Sequence, residues 1–198
     1  MIRNEKLRNV VYAVSAVLLF AVAAVALLAR QEKIAEKPAA AATAKPGKAE
    51  MGRLKFYLGD WDYTENYPKS TAAPNGATNT GIYTSKLGPG GNSLINTFHS
   101  QGLVGDFEGL LVITWDPRES VYKGYVFGND FPGAVVETGS FEGDALVFHS
   151  EITTGGRTLK LRNVTRLTAT GTIESEQYVS VKDAPEKLLV QVVATRKH

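Results

Sequence analysis

The 198 residues contain no cysteine, which excludes disulfides, thiolate nucleophiles, a lipidated cysteine and Cys-based metal clusters. Histidine is scarce as well, with only His99, His149 and the last residue, His198, and no H-E-x-x-H spacing that would bind zinc. Phosphate-binding and hydrolase signatures are missing. Gly88-Pro89-Gly90-Gly91-Asn92 has no lysine and opens no helix, so it reads as a turn. Gly139-Ser140-Phe141-Glu142-Gly143 lacks both the G-x-S-x-G spacing and a following helix, so it reads as a strand end and a turn. No repeat occurs at a fixed period. Beyond about residue 60 no run has helical period, which excludes the crossovers that parallel strands need. Asn163-Val164-Thr165 fits a glycosylation pattern but falls inside a strand pattern.

What is present divides in two. Val10 to Ala29 is an uninterrupted apolar run of twenty residues, preceded by Arg3, Lys6 and Arg8. A basic start followed by an apolar stretch is the layout of an export signal. Signal cores run to about 15 residues, whereas a membrane-spanning helix needs about 20. Length therefore favours an anchor, while the small-x-small sites at Ala24-Val25-Ala26 and Ala42-Thr43-Ala44 keep a cleaved signal open. Gln31 to Glu50 is rich in Ala, Lys, Glu and Pro, with little to bury, and reads as a linker. The expected organisation is thus a signal anchor or signal peptide over 1–30, a linker over 31–50 and one folded domain over 51–198. The short nine-residue head favours a cytoplasmic N-terminus. The expected location is the inner membrane with the domain on its periplasmic side, or the periplasm after cleavage.

Charge follows the same division. Residues 1–49 carry eight Lys/Arg against three Asp/Glu, and residues 50–198 carry fourteen against seventeen. The basic character belongs to the leader and linker. A mildly acidic domain without a basic stripe is a poor nucleic-acid binder.

After a helical turn at 51–58 and Gly59 the period becomes two: Trp61, Tyr63, Glu65 and Tyr67 share one face. Similar runs near 78–87, 93–101, 106–115, 120–128, 134–142, 145–151, 157–168, 171–180 and 187–196 are separated by Gly-, Pro- and Asp-rich breakers. Ten short strands in hairpin succession predict an all-β, antiparallel up-and-down sheet, and closure into a barrel removes its two exposed edges. Alternation turns Phe107, Leu111, Ile113 and Trp115 inward. It groups Val121, Tyr125 and Phe127 with Lys123 as the odd member, and places Asn163 and Gln177 on inner faces. An apolar interior with sparse amides and hydroxyls suits a ligand cavity. A barrel filled by its own side chains is the other reading.

Gly59-Asp60-Trp61, after a short helical turn, resembles the opening motif of lipocalin-like (calycin) barrels. The resemblance implies that Trp61 plugs the closed end and that a cation from the last strand, Arg196, lies across it. Leu58-Gly59-Asp60-Trp61, Phe107-Glu108-Gly109, Asp116-Pro117 with Tyr122-Lys123-Gly124, Asn163-Val164-Thr165-Arg166 and Thr195-Arg196-Lys197 are together similar to a bacterial domain-of-unknown-function family, often exported, with such a barrel. That similarity covers about 54–198 and implies a fold, with no catalytic residues to carry over.

Three functions are compatible with these residues. The first is a tethered or exported barrel that binds a small, mostly apolar molecule, with Tyr63, Trp115, Tyr125, Asn163 and Gln177 as its lining and no cofactor. The second is a structural or protein-interaction module of the envelope, acting through an exposed 129–133 loop with Phe131 at its tip. The third is an enzyme, for which Glu65 among tyrosines would be the only acid or base, unless it sits in water at the rim. A related barrel group holds haem through one histidine, but His99 and His149 each follow an inward Phe and are expected to face out.

Overall fold

A computed structural model describes residues 47–70, 73–154, 156–182 and 184–197. The apolar run Val10–Ala29, nearly all of the 31–50 linker and His198 lie outside them. Among the described residues no helix is long and apolar enough to cross a membrane.

The chain opens with a short helix, α1 (Lys48–Arg53), which tightens into a 3-10 turn over Leu54–Tyr57. Ten strands follow: β1 (Gly59–Tyr67), β2 (Ala77–Leu87), β3 (Ser93–Gly102), β4 (Asp106–Asp116), β5 (Val121–Gly128), β6 (Phe131–Glu142), β7 (Ala145–Thr154), β8 (Arg157–Leu167), β9 (Ile173–Val181) and β10 (Lys187–Arg196). Each pairs antiparallel with its neighbours in the chain, and β1 pairs with β10 to close the barrel. Period-two sequence, short turns and the penalty of open edges together select this architecture.

One end of the barrel is sealed. Met51 and Leu54, from α1 and the 3-10 turn, are buried against Leu94, Ile113, Tyr122, Leu146 and Phe148. The Tyr122 hydroxyl donates to the Glu50 carbonyl at 2.7 Å and so fixes the plug to the wall. Beside it Trp61 is 1 % exposed, and its indole N–H donates to the Tyr57 carbonyl at 2.9 Å. The Arg196 guanidinium lies 4.5 Å from the indole ring and donates to the Leu58 carbonyl at 2.8 Å.

Four strand glycines sit opposite inward aromatic rings: Gly81 with Tyr63, Gly109 with Phe98, Gly128 with Phe131 and Gly139 with Phe148. A Cβ at any of the four would run into that ring. The rings therefore lie flat across neighbouring backbone, a packing device that lets a sheet curve.

The wall differs from the sequence expectation in three places. In β5 the inward residues are Tyr122, Gly124 and Val126, because Tyr122 is in register with Trp115 and Val126 with Leu111. Tyr125 therefore shares the outer face with Val136, its partner in β6, which is 53 % exposed. Lys123 also faces out and reaches Glu119. Second, β6 starts at Phe131 rather than 134, since Gly128 pairs with Phe131 across a two-residue turn, and Phe131 turns inward. Third, a register shift between Leu188 and Val190 carries Leu188 to the outer face beside Tyr178.

Candidate functional site

Above the plug the barrel is hollow. The cavity measures about 350 Å³, within the range that takes a small organic molecule. Its floor is Tyr57 from the 3-10 turn, with Ile173 and Ala194 beside it. Its apolar wall includes Tyr63, Tyr83, Phe98, Leu111, Phe131 and Leu161. Polar groups enter from Glu65, Asn96, Glu137, Asn163, Ser175 and Gln177.

Tyr63, Asn163 and Gln177 are brought together on this wall. Trp115 and Tyr125 are not. Trp115 stands at the sealed end, stacked edge-on against Tyr122 at 4.9 Å and covering Gly47. Its position near the end of β4 places it in the plug layer. Tyr125 is on the outer face for the register reason given above.

Glu65 lies inside the barrel, not in water at the rim. Its carboxylate accepts hydrogen bonds from the Tyr67 and Ser100 hydroxyls, each at 3.1 Å. Burial raises its pKa, and these hydroxyls and Asn79 partly offset that shift. Tyr63 is pushed up to about 12, chiefly by burial, so its phenol stays protonated at neutral pH.

Glu137 is a second interior carboxylate that alternation alone did not single out. It follows Val135 and Val136, so its segment reads as apolar with one stray charge. It faces inward opposite Gly124, which leaves room for it: a Cβ there would be 3.3 Å from Oε1. Among the described residues no hydrogen bond or ion pair reaches this carboxylate. Burial alone pushes its pKa up to about 7. The Glu137 charge in turn contributes to the elevation of the Tyr57 pKa, after the larger effect of burial.

Further polar atoms are left without partners. The Tyr83 hydroxyl and the amide oxygens of Asn96 and Asn163 are buried and unbonded. Buried polar atoms are normally paired, so three unpaired ones on residues that line one hollow are exceptional. Elsewhere on the wall polar groups satisfy each other, as Thr165 and Ser175 do at 2.8 Å.

The histidines stand apart from this cavity. His99 contacts Asp106 at 2.7 Å on the outer surface, and His149 is exposed on the outer face of β7. No histidine lines the hollow, so an iron inside would find no imidazole among the described residues. Nor do the described residues contain a group of His, Asp or Glu arranged to hold a metal ion.

A closed antiparallel meander, sealed at one end by its own N-terminal turn and hollow above it, defines a lipocalin-like barrel. Rv2717c from M. tuberculosis shares the fold, with a TM-score of 0.53 at 13 % identity over 75 % of this chain and 98 % of that one. The S-type phycobiliprotein lyase CPES from Guillardia theta gives a TM-score of 0.48 at 12 % identity over 73 % and 90 % of the two chains. The chain matches no protein-family profile and no curated protein.

Proposed function

We propose that this protein binds a small, mostly apolar molecule inside its barrel. On this reading the N-terminal run 10–29 carries the barrel to the periplasmic side of the inner membrane, as an anchor or a cleaved signal. The observation that carries the binding function is the hollow of about 350 Å³ lined by aromatic and aliphatic side chains with buried polar atoms left unpaired. A barrel evolved only to be filled would have little reason to keep those atoms unbonded. Tyr63, Asn163 and Gln177 are the lining residues assigned to the ligand, joined by Glu137, Asn96 and Tyr83. Export is read from the leader alone.

Native mass spectrometry of the full chain, purified from its own envelope, tests this reading. A co-purifying small molecule that is displaced when Asn163→Leu and Gln177→Leu are introduced is the expected result. A barrel that arrives empty and also refuses neutral naphthalene probes would overturn it. A protein-interaction role draws on different residues, since Ile82, Phe127 and Val136 are 49 %, 42 % and 53 % exposed on the outer wall.

A further inference from the structure

The cavity wall has a sign. Its ionisable residues are Glu65, Glu137 and the tyrosines Tyr57, Tyr63 and Tyr83, and no Lys, Arg or His is among the lining residues. The two carboxylates differ in what they already hold. Glu65 is occupied by the Tyr67 and Ser100 hydroxyls. Glu137 has no partner among the described residues and is recessed in the wall opposite Gly124, with Tyr57 nearby. The unpaired amide oxygens of Asn96 and Asn163 are acceptors too. A hollow with a carboxylate that has no partner among the described residues, several π faces and no cation among its lining residues lacks a positive charge to balance that carboxylate.

We propose that the occupant is a monovalent organic amine with an apolar body, its ammonium group docked on the Glu137 carboxylate and its body against the aromatic wall. This rests on the cavity reading above and gives the ligand its chemical class. An ammonium supplies the missing positive charge, and the rings of Tyr57, Tyr63, Tyr83 and Phe98 favour a cation over a neutral head. A fatty acid or other anion would meet the like charge of Glu137 and Glu65 and is disfavoured. The unpaired state of Glu137 is then the empty form of an ion pair, kept at the expense of stability because the partner arrives from outside.

Three naphthalene derivatives of matched size test the proposal: 1-naphthylmethylamine, 1-naphthalenemethanol and 1-naphthoate. Calorimetry uses the full chain in zwitterionic lipid nanodiscs, with empty nanodiscs as the blank. At about pH 8 the amine should bind about tenfold or more tighter than the alcohol, with the carboxylate weakest. Glu137→Gln should abolish the amine's advantage over the alcohol, whereas Glu65→Gln should keep most of it. In the unmodified chain the advantage should shrink by about tenfold or more on going from about pH 8 to about pH 5.5. Glu137 must there give up a proton before it can pair, while an alkyl ammonium stays charged throughout. The pH series needs no variant, so it decides the matter even if Glu137→Gln fails to fold. An amine that binds no better than the alcohol, or an advantage that survives Glu137→Gln, overturns the amine assignment and leaves the cavity reading standing. If the barrel arrives empty and none of the three binds, both fall.

Discussion

At the residue scale, Gly59 shows why a glycine precedes the tryptophan by two positions. Its φ is +113°, which L side chains rarely adopt, and a Cβ there would lie 2.5 Å from the Arg196 guanidinium. Arg196 can reach the Leu58 carbonyl and cover Trp61 only because that space is empty. Gly59→Ala should therefore destabilise the fold by about 2 kcal/mol or more, combining backbone strain with a displaced guanidinium. Urea unfolding followed by indole fluorescence measures it; an unchanged midpoint would refute this account of the motif. Glu137 gives a second residue-scale prediction, of opposite sign. Its pKa is raised from 4.5 to about 7, so the folded chain binds the extra proton more tightly than the unfolded one. Stability contributed by this group is full below about pH 4.5 and is lost as pH rises through about 7. Because the carboxyl borders a hollow that water can reach, the loss is about 1–3 kcal/mol. Glu137→Gln should raise the melting temperature at about pH 8 and change it little at about pH 4.5. A variant that melts lower than the parent at about pH 8 would show that the carboxylate is not bare.

At the scale of elements, the N-terminal turn is a stopper, and Leu54 is its centre, with no exposed surface. Leu54→Ala should cost about 2–5 kcal/mol through lost burial and a residual cavity. Trp115→Ala, in the same layer, should lower stability while leaving naphthalene binding per folded molecule within about twofold, because Trp115 stands away from the hollow. A large loss of binding without a loss of stability would return Trp115 to the site. The elements also show what sequence could and could not reveal. Strand positions were legible because period-two runs and Gly- or Pro-rich breakers are local features. The facing of β5 was not, since Tyr122, Tyr125 and Phe127 put aromatics at both parities; the inward-placed Lys123 was the one sign that the parity was reversed. The start of β6 was obscured by Pro132-Gly133, which read as loop although residues 131–142 form one strand. Glu137 was hidden for a related reason. Only the register Gly124↔Glu137 shows that it faces a glycine across the wall, and that pairing depends on a turn and a bulge whose geometry composition does not encode.

At the scale of the whole molecule, every hydrogen-bonded strand pairing but one joins sequence neighbours. The exception is β1 with β10, where Trp61 is opposite Arg196 and Asn66 opposite Gln191. Removing residues 187–197 should leave β1 and β9 with free edges, and size-exclusion chromatography should then show aggregates instead of the parent's elution volume. A truncated chain that elutes as the parent does would mean that the remaining strands can close without β10. The all-β class and the closed ring followed from edges that had to be removed. The hollow could not be inferred the same way, because filled and empty barrels share one alternation. Three of its rings, Tyr63, Phe98 and Phe131, lie flat over wall glycines and so leave the space open. The single long-range pairing also sets an order of events. Nine strands can zip by local hairpins as they are made, but the circle stays broken until residues near Arg196 exist to meet Trp61. Until that meeting the chain is a ribbon with two sticky margins, on whichever side of the membrane it folds. Whatever factor shields it in that interval has to recognise the ribbon, since the finished cylinder no longer displays those margins.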